Sequence, residues 1–76
     1  MNPNPFIGGY HGISRWLTDN GYLDNQTNEC EYVRIRQHAR EIGPNVKYEV
    51  RGAGNEQVSV MIFHGNKPVD YVTLTR

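Results

Sequence analysis

The stretch YVRIRQHAREIGPNVKYEV, residues 32–50, contains the change of pattern that decides the fold. Its first apolar residues recur at the three- and four-residue spacing of a helix: Tyr32, Ile35, Ala39 and Ile42. Its last apolar residues alternate with polar ones, as in a strand with one buried face: Val46, Tyr48 and Val50. Between them, Gly43 suits the left-handed position that ends a helix, and Pro44 prevents the helix from continuing. The stretch therefore predicts a helix over about residues 28–42 that leads directly into a strand.

Upstream of this stretch, the sequence predicts a loose arm and a shorter helix. Residues 1–12 contain two prolines and three glycines, which disfavour regular structure. The apolar residues that follow have helical spacing: Ile13, Trp16 and Leu17. They indicate a first helix over about residues 13–20, with Trp16 as a core anchor. Asn28 and Glu31 have the spacing of a capping box at the start of the second helix.

Downstream, the alternating pattern continues in two further segments, residues 58–63 and 69–74, which glycine-containing turns separate. Three such segments in succession predict a β-meander. The apolar stripe of the second helix matches one face of this sheet in length. We therefore expect one small α+β domain over residues 1–76, in which two helices precede a three-stranded antiparallel β-meander and the second helix packs on one sheet face.

The turn Gly65-Asn66 predicts how the last two strands pair. A two-residue hairpin at this turn places Val60 opposite Tyr71 on the side that the second helix covers. In the first hairpin, the register that keeps apolar partners together pairs Tyr48 with Val60. The rear face then collects four large apolar residues: Met61, Phe63, Val72 and Leu74. Either the first helix and the arm wrap round and cover this patch, or the patch is a contact surface for a partner or a second copy.

Length and composition remove several functional classes. A chain of 76 residues forms one small domain with little room for a deep enzyme pocket. Eight basic and eight acidic residues give a net charge of zero, which argues against a non-specific polyanion binder. The single cysteine, Cys30, excludes an internal disulfide and favours a reducing, cytoplasmic location. No apolar run approaches the ~20 residues of a membrane span, so we expect no membrane contact.

No motif for catalysis, a cofactor or a metal ion is recognisable in the sequence. Cys30 and His38 would lie about 12 Å apart along a helix, which is too far for them to share one ion. The glutamates beside Cys30 oppose the formation of a reactive thiolate. We therefore expect a protein that is not an enzyme and that has no catalytic residue, no cofactor and no metal site.

A small regulator, adaptor or inhibitor that binds a larger protein or nucleoprotein complex fits these features best. The predicted binding residues are the rear-face apolar side chains, as anchors, and three arginines, as oriented polar contacts: Met61, Phe63, Val72, Leu74, Arg51, Arg36 and Arg40. A homodimer formed through the same face or through open sheet edges is a further alternative. Small standalone proteins of this kind are frequent among phage and mobile-element products, which makes a viral origin one of the alternatives.

Arg36 and Arg40 also allow a different function, in which the second helix binds DNA or RNA. The two arginines are four residues apart on one flank of the helix, whereas Arg34 points to the outer side. They form either a solvated helix exterior or a fork for phosphate or carboxylate groups. Base stacking on the sheet has less support, since Tyr71 is predicted on the covered face and Phe63 alone on the rear face.

Overall fold

Both predicted helices are present in the computed structural model, which describes residues 6–24, 26–52 and 56–76. The elements follow in the order β1 (Ile7–Gly8), α1 (Tyr10–Asp19), α2 (Glu29–Ile42), β2 (Val46–Arg51), β3 (Gln57–His64) and β4 (Lys67–Thr75). Short 3₁₀ turns, Gln26–Asn28 and Gly43–Asn45, flank α2. The two helices and the antiparallel sheet confirm the predicted α+β class. None of the described helices is long and apolar enough to cross a membrane.

The sheet contains four strands within the described residues, in the order β1-β2-β3-β4. The additional strand, β1, is antiparallel to β2 and pairs Ile7 with Glu49. The Val50 N–H also donates to the carbonyl of Phe6, with 2.9 Å between nitrogen and oxygen. The pairing with β1 thus gives hydrogen-bond partners to some of the backbone groups that the edge of β2 would otherwise expose.

The prediction of three strands with a loose arm over residues 1–12 is therefore wrong where the arm is described, and residues 1–5 lie outside the described part. A two-residue strand beside glycines carries no alternating pattern in the sequence. The glycines have a packing role here instead. A Cβ atom on Gly8 or Gly12 would lie 2.7 or 2.5 Å from Cζ of Phe6, so the ring of Phe6 packs directly on both glycine backbones.

The pairing of β2 with β3 keeps the predicted faces but differs in register. Tyr48 lies opposite Ile62 and Val50 lies opposite Val60, two residues away from the predicted register. Because side chains alternate with a period of two, a shift of two residues leaves the same side chains on the buried face. The loop predicted around residues 53–55 lies outside the described residues.

A β-bulge in the second hairpin changes which side chains of β4 are buried. The hairpin closes at the predicted turn, but Val69 has no partner residue in β3. On either side of it, Pro68 pairs with Phe63 and Asp70 with Ile62. One extra residue moves every later side chain of β4 to the opposite face of the sheet.

Val72 and Leu74 are consequently core residues, with 2% and 0% of their surface exposed. The prediction that placed them on the rear face is wrong, because it assumed an uninterrupted ladder between the two strands. Tyr71 lies on the rear face in their place and is 61% exposed.

Both helices contribute to one core on a single face of the sheet. Its buried side chains come from the helices, the segment between them and three strands: Ile13, Leu17, Tyr22, Ile35, Val46, Tyr48, Val50, Val58, Val60, Ile62, Val72 and Leu74. Trp16 is only partly buried and stacks on Tyr22, with 6.0 Å between ring centroids, so it packs at the margin of the core. The Tyr48 hydroxyl donates to the Ile35 carbonyl at 2.6 Å, and burial raises the pKa of this phenol.

Asn28 fastens the start of α2 to the last strand of the sheet. The residue is 2% exposed, and its side-chain amide bonds only to backbone groups. Its Nδ2 donates to the carbonyls of Tyr22 and Thr75 at 2.5 and 2.6 Å, and its Oδ1 accepts the Thr75 N–H at 2.9 Å. The predicted capping box is wrong, because Asn28 makes no side-chain cap hydrogen bond to the first turn of α2.

We expect Asn28→Ala to lower the free energy of unfolding by about 2 to 4 kcal/mol, because each buried backbone group left without a partner costs about 1–3 kcal/mol. Urea denaturation measures this change. Thr18→Ala is the matched control, since the Thr18 hydroxyl donates to the Ser14 carbonyl on the exposed surface; we expect a change within about 0.5 kcal/mol there. Equal losses in the two variants would contradict the role assigned to Asn28.

Candidate binding surface on the open face of the sheet

The sheet face that points away from both helices carries no described covering element, and we name it the open face. Its side chains come from all four strands: Ile7, Lys47, Glu49, Arg51, Ser59, Met61, Phe63, Tyr71 and Thr73. The strand register aligns Ile7, Glu49, Met61 and Tyr71 in one row across the sheet. The two ends of this row are the most exposed, with Ile7 at 58% and Tyr71 at 61%.

The sequence left open whether the first helix and the arm cover this face. α1 instead places Ile13 and Leu17 in the core, on the opposite side of the sheet. The described part of the arm forms β1, whose Ile7 extends the open face at its edge. The wrapping alternative is therefore wrong for the described residues: Ile7 and Tyr71 on this face are exposed, and Met61 and Phe63 are half-buried.

Arg51 lies across the apolar part of the open face. Its Nε donates to Oε1 of Glu49 at 2.7 Å, and its Cζ lies 5.9 Å from the ring centroid of Phe63. The ion pair and the cation–π contact together favour a position of the guanidinium group beside Glu49 and Phe63. The charge of Glu49 is thereby balanced, whereas Lys47 forms no ion pair with any described residue.

A shallow groove of about 250 Å³ lies between β1, β2 and the turn that joins β3 to β4. Its lining combines apolar side chains, two cations, one carboxylate and the turn itself: Ile7, Lys47, Glu49, Arg51, Phe63, Gly65 and Asn66. Small-molecule pockets usually measure roughly 300–1,000 Å³. The groove therefore fits one side chain of a larger partner better than a free small molecule.

Side chains form hydrogen bonds with backbone groups along the outer edge of β4. The Tyr71 N–H donates to Oδ1 of Asp70 at 2.8 Å, and Arg34 reaches the Tyr71 carbonyl at 3.4 Å. Asn28 bonds both backbone groups of Thr75. A foreign strand that paired with this edge would have to displace these bonds, and the opposite edge strand is only two residues long. In the described sheet, the open face is therefore more accessible to a partner than the edges expected from the sequence.

Asp70 on β4 joins two side chains of α2. Its Oδ1 pairs with Arg34 at 2.5 Å, and its Oδ2 lies 3.0 Å from Nε2 of His38. Partial burial raises the pKa of the Asp70 carboxyl, but the hydrogen bonds with Arg34, His38 and the Tyr71 N–H outweigh burial and hold this pKa below its ordinary value. Arg34 is thus a structural contact between helix and sheet, although the sequence placed it on the outer side of the helix.

A second cavity, of about 440 Å³, lies between α1 and the start of α2. Its described lining consists of hydroxyl, amide, carboxylate and apolar side chains: Ser14, Thr18, Leu23, Asp24, Gln26, Asn28, Glu29 and Tyr32. These residues include no histidine or cysteine that could act as a general base or a strong nucleophile. Across residues 6–24, 26–52 and 56–76, no three His, Cys, Asp or Glu side chains are close enough to hold a metal ion.

The structure divides the seven predicted binding residues among three places. They are Met61, Phe63 and Arg51 on the open face, Val72 and Leu74 in the core, and Arg36 and Arg40 on a flank of α2. Sequence inspection missed Ile7 and Tyr71. The position of Ile7 depends on the pairing of the arm, and that of Tyr71 depends on the bulge. Pro68 was the available signal for the bulge, because proline cannot donate to a ladder and is confined to edges and bulges.

Comparison with protein-family models, with curated proteins and with solved structures gives no match. The candidate function therefore depends on the geometry of the described residues.

We expect Asp70 to make the stability of this protein depend on pH in the acid range. Its pKa in the folded protein lies below the unfolded value of about 3.9, so its contribution is present above about pH 4 and is lost as the pH falls through the folded pKa. Asp70→Asn should lower the free energy of unfolding by about 1 kcal/mol at neutral pH. The loss should shrink at a pH well below 4.

Urea denaturation of both proteins at neutral and at strongly acidic pH measures this difference. Asp19→Asn is the matched control, because Asp19 pairs with Arg15 at 3.9 Å on the exposed surface. A difference between the protein and its Asp70→Asn variant that stays constant with pH would contradict the assignment.

Proposed function

We propose that this protein is a non-catalytic binding protein that docks its open face on a larger protein or nucleoprotein complex and acts as an adaptor, regulator or inhibitor. One observation carries the proposal: along the central row of the open face Ile7 and Tyr71 are exposed and Met61 is half-buried, while the opposite face of the same sheet holds the core. Ile7, Met61 and Tyr71 belong to this row, and Phe63 is the diagonal neighbour of Tyr71. Contiguous apolar patches on a small domain commonly mark contact sites.

The residue types of the open face favour a protein partner. Methionine, aromatic residues and arginine are enriched at the centres of protein interfaces, and the open face offers Met61, Phe63, Tyr71 and Arg51 together. Arg51 is already held by Glu49 and by the ring of Phe63. The Arg51 side chain is therefore already ordered before a partner covers it, which reduces the conformational entropy lost on binding.

Binding through this face would act by occlusion or clamping rather than by chemistry. The molecule measures 29 × 26 × 17 Å along its principal axes. In a two-layer domain the short axis runs through the layers, so each broad side is close to the roughly 800 Å² that one partner contributes to a standard interface. The groove beside the Gly65-Asn66 turn supplies a socket that can fix the position of the partner.

Single-stranded nucleic acid is the second candidate ligand, because the bulge brings Tyr71 to the same face as Phe63. Two rings on adjacent strands can stack bases. However, Glu49 already balances the charge of Arg51, which leaves Lys47 as the one named cation of the open face without an ion pair among the described residues, and the chain has no net positive charge. A protein partner therefore ranks first.

The test is an affinity capture from host lysate with and without nuclease, with bound proteins identified by mass spectrometry. We expect the protein to retain a stoichiometric partner after nuclease treatment. Met61→Asp and Tyr71→Asp should each weaken this capture by at least about tenfold, since a buried carboxylate without a partner is costly at an interface. Val33→Asp, which makes the same change at a 39% exposed position on α2, should capture normally.

Circular dichroism controls for folding in this comparison. Met61→Asp and Tyr71→Asp should keep their helix content, whereas Leu74→Asp at a fully buried position should lose it. Unchanged capture by the two open-face variants would refute the proposed surface. Loss of the captured proteins after nuclease treatment would favour the nucleic-acid alternative. A doubled solution mass that Met61→Asp abolishes would identify the partner as a second copy of this chain.

A further inference from the structure

Arg36 and Arg40 form a pair of positive charges on α2 that no described carboxylate neutralises. On a helix, the residues that can face a side chain are those three and four positions away. Besides each other, Arg36 and Arg40 have six residues at these positions, none of them acidic: Tyr32, Val33, Gln37, Ala39, Gly43 and Pro44. Glu41 is adjacent to Arg40 in sequence, but neighbouring positions do not face each other on a helix.

The basic residues in the ion pairs of the described residues are Arg15, Arg34, His38 and Arg51. Neither Arg36 nor Arg40 is among them. Like charges four positions apart on a helix repel each other, so the arrangement costs stability unless an anion lies between them. Arg34, on the same helix, shows the contrast, since Asp70 neutralises it.

A cluster of hydroxyl groups lies beside these arginines. The hydroxyl of Tyr32 is 2.9 Å from that of Tyr10 and 2.8 Å from that of Ser14, and Cζ of Arg36 lies 5.9 Å from the ring centroid of Tyr32. Three hydroxyl hydrogens serve two hydrogen bonds among the described residues. One hydrogen is therefore left to donate to an outside acceptor.

The electrostatics of Tyr10 agree with this geometry. Burial and the hydrogen bond to Tyr32 raise the pKa of the Tyr10 hydroxyl, and the positive charges of Arg36 and Arg40 act in the opposite direction. Both guanidinium groups are thus close enough to Tyr10 for their fields to reach its oxygen. The hydroxyl stays protonated at neutral pH and remains a donor.

We infer that Arg36, Arg40 and the hydroxyl groups of Tyr10, Tyr32 and Ser14 bind a phosphate group of a nucleic-acid backbone. The two guanidinium groups lie on one flank of α2, and that of Arg36 packs beside the ring of Tyr32. The two non-bridging oxygens of a backbone phosphate share one negative charge and accept hydrogen bonds from arginine forks and hydroxyl groups. Arg36 and Arg40 are exposed, and the hydroxyl groups beside them are partly buried.

This site goes beyond the proposed function and does not depend on it. It lies on the helical side of the sheet, opposite the open face, so a protein partner and a nucleic acid could bind at the same time. Phosphate contacts position a nucleic acid without reading its sequence. Because the chain has no net charge, this binding depends on the local pair of arginines, and we expect it to be weak, independent of sequence and sensitive to salt.

Fluorescence anisotropy with a labelled single-stranded oligonucleotide tests the site. We expect the logarithm of affinity to fall with the logarithm of salt concentration with a slope of about −0.7, as for one phosphate contact on a single strand. Arg36→Gln combined with Arg40→Gln should weaken binding at low salt by at least about tenfold. Arg15→Gln combined with Lys67→Gln is the matched control, because it removes the same charge from other exposed positions; we expect it to weaken binding by no more than about threefold.

Two further experiments distinguish between the possible ligands. In a nitrogen-15 NMR titration, inorganic phosphate and the oligonucleotide should both shift the Arg36 and Arg40 side-chain signals, and a polyglutamate peptide should not. Tyr32→Phe, which keeps the ring but removes the central hydroxyl, should weaken the phosphate shifts.

Three results would overturn the inference. One is an equal loss of oligonucleotide affinity in the two double variants, which would show that the effect depends on net charge alone. Another is absence of oligonucleotide binding at low salt, even if inorganic phosphate binds. The third is a stronger response to polyglutamate than to the oligonucleotide, which would assign the arginines to an acidic protein.

Discussion

The buried amide of Asn28 is the contact on which the arrangement of the two layers depends. It joins the segment after α1, the start of α2 and the last residue of β4, because it bonds the backbone of both Tyr22 and Thr75. Each of these bonds satisfies a backbone group that would otherwise be buried without a partner. Asp70 makes a second attachment farther along α2, through Arg34 and His38. The helix is thus fixed to β4 at two points.

This attachment explains why the domain has one covered and one uncovered sheet face. With α2 held over β4 and α1 packed beside β2 and α2, all the buried side chains of the sheet lie on the helical side. The same contacts occupy backbone groups on the outer edge of β4, so the open face, with exposed Ile7 and Tyr71 and half-buried Met61, is the more accessible part of the described sheet.

The helical layer contributes a second surface of different chemistry. Its Arg36 and Arg40 lie beside a hydroxyl cluster, whereas the open face is mainly apolar. The two surfaces are on opposite sides of the sheet.

The sequence predicted those parts of the structure that depend on local patterns. The end of α2 at Gly43, which has φ of 75°, and the turn at Gly65, with φ of 67°, follow from glycine's freedom at left-handed positions. The alternation of Val46, Tyr48 and Val50 identified the buried face of β2 correctly.

Three features escaped prediction because they depend on contacts between distant residues. β1 is too short to show a pattern, and it exists because β2 offers it a backbone edge. The bulge at Val69 exchanges the faces of Tyr71 and Val72, so two of the predicted binding residues became core and one aromatic residue became exposed. Asn28 has the sequence signature of a helix cap, but its amide bonds a strand that lies 47 residues away.

The most direct test of the account is the solvent exposure of single methyl groups in the free protein. Relaxation enhancement by a soluble gadolinium chelate, measured by NMR at low protein concentration, reports this exposure. We predict strong enhancement for the methyl groups of Ile7, at least equal to that of Val33 on the helix surface, intermediate enhancement for the Met61 methyl group, and protection of Val72 and Leu74. Protection of Met61 and Ile7 to the level of Leu74 would contradict this prediction, because the open face would then be covered in the protein itself.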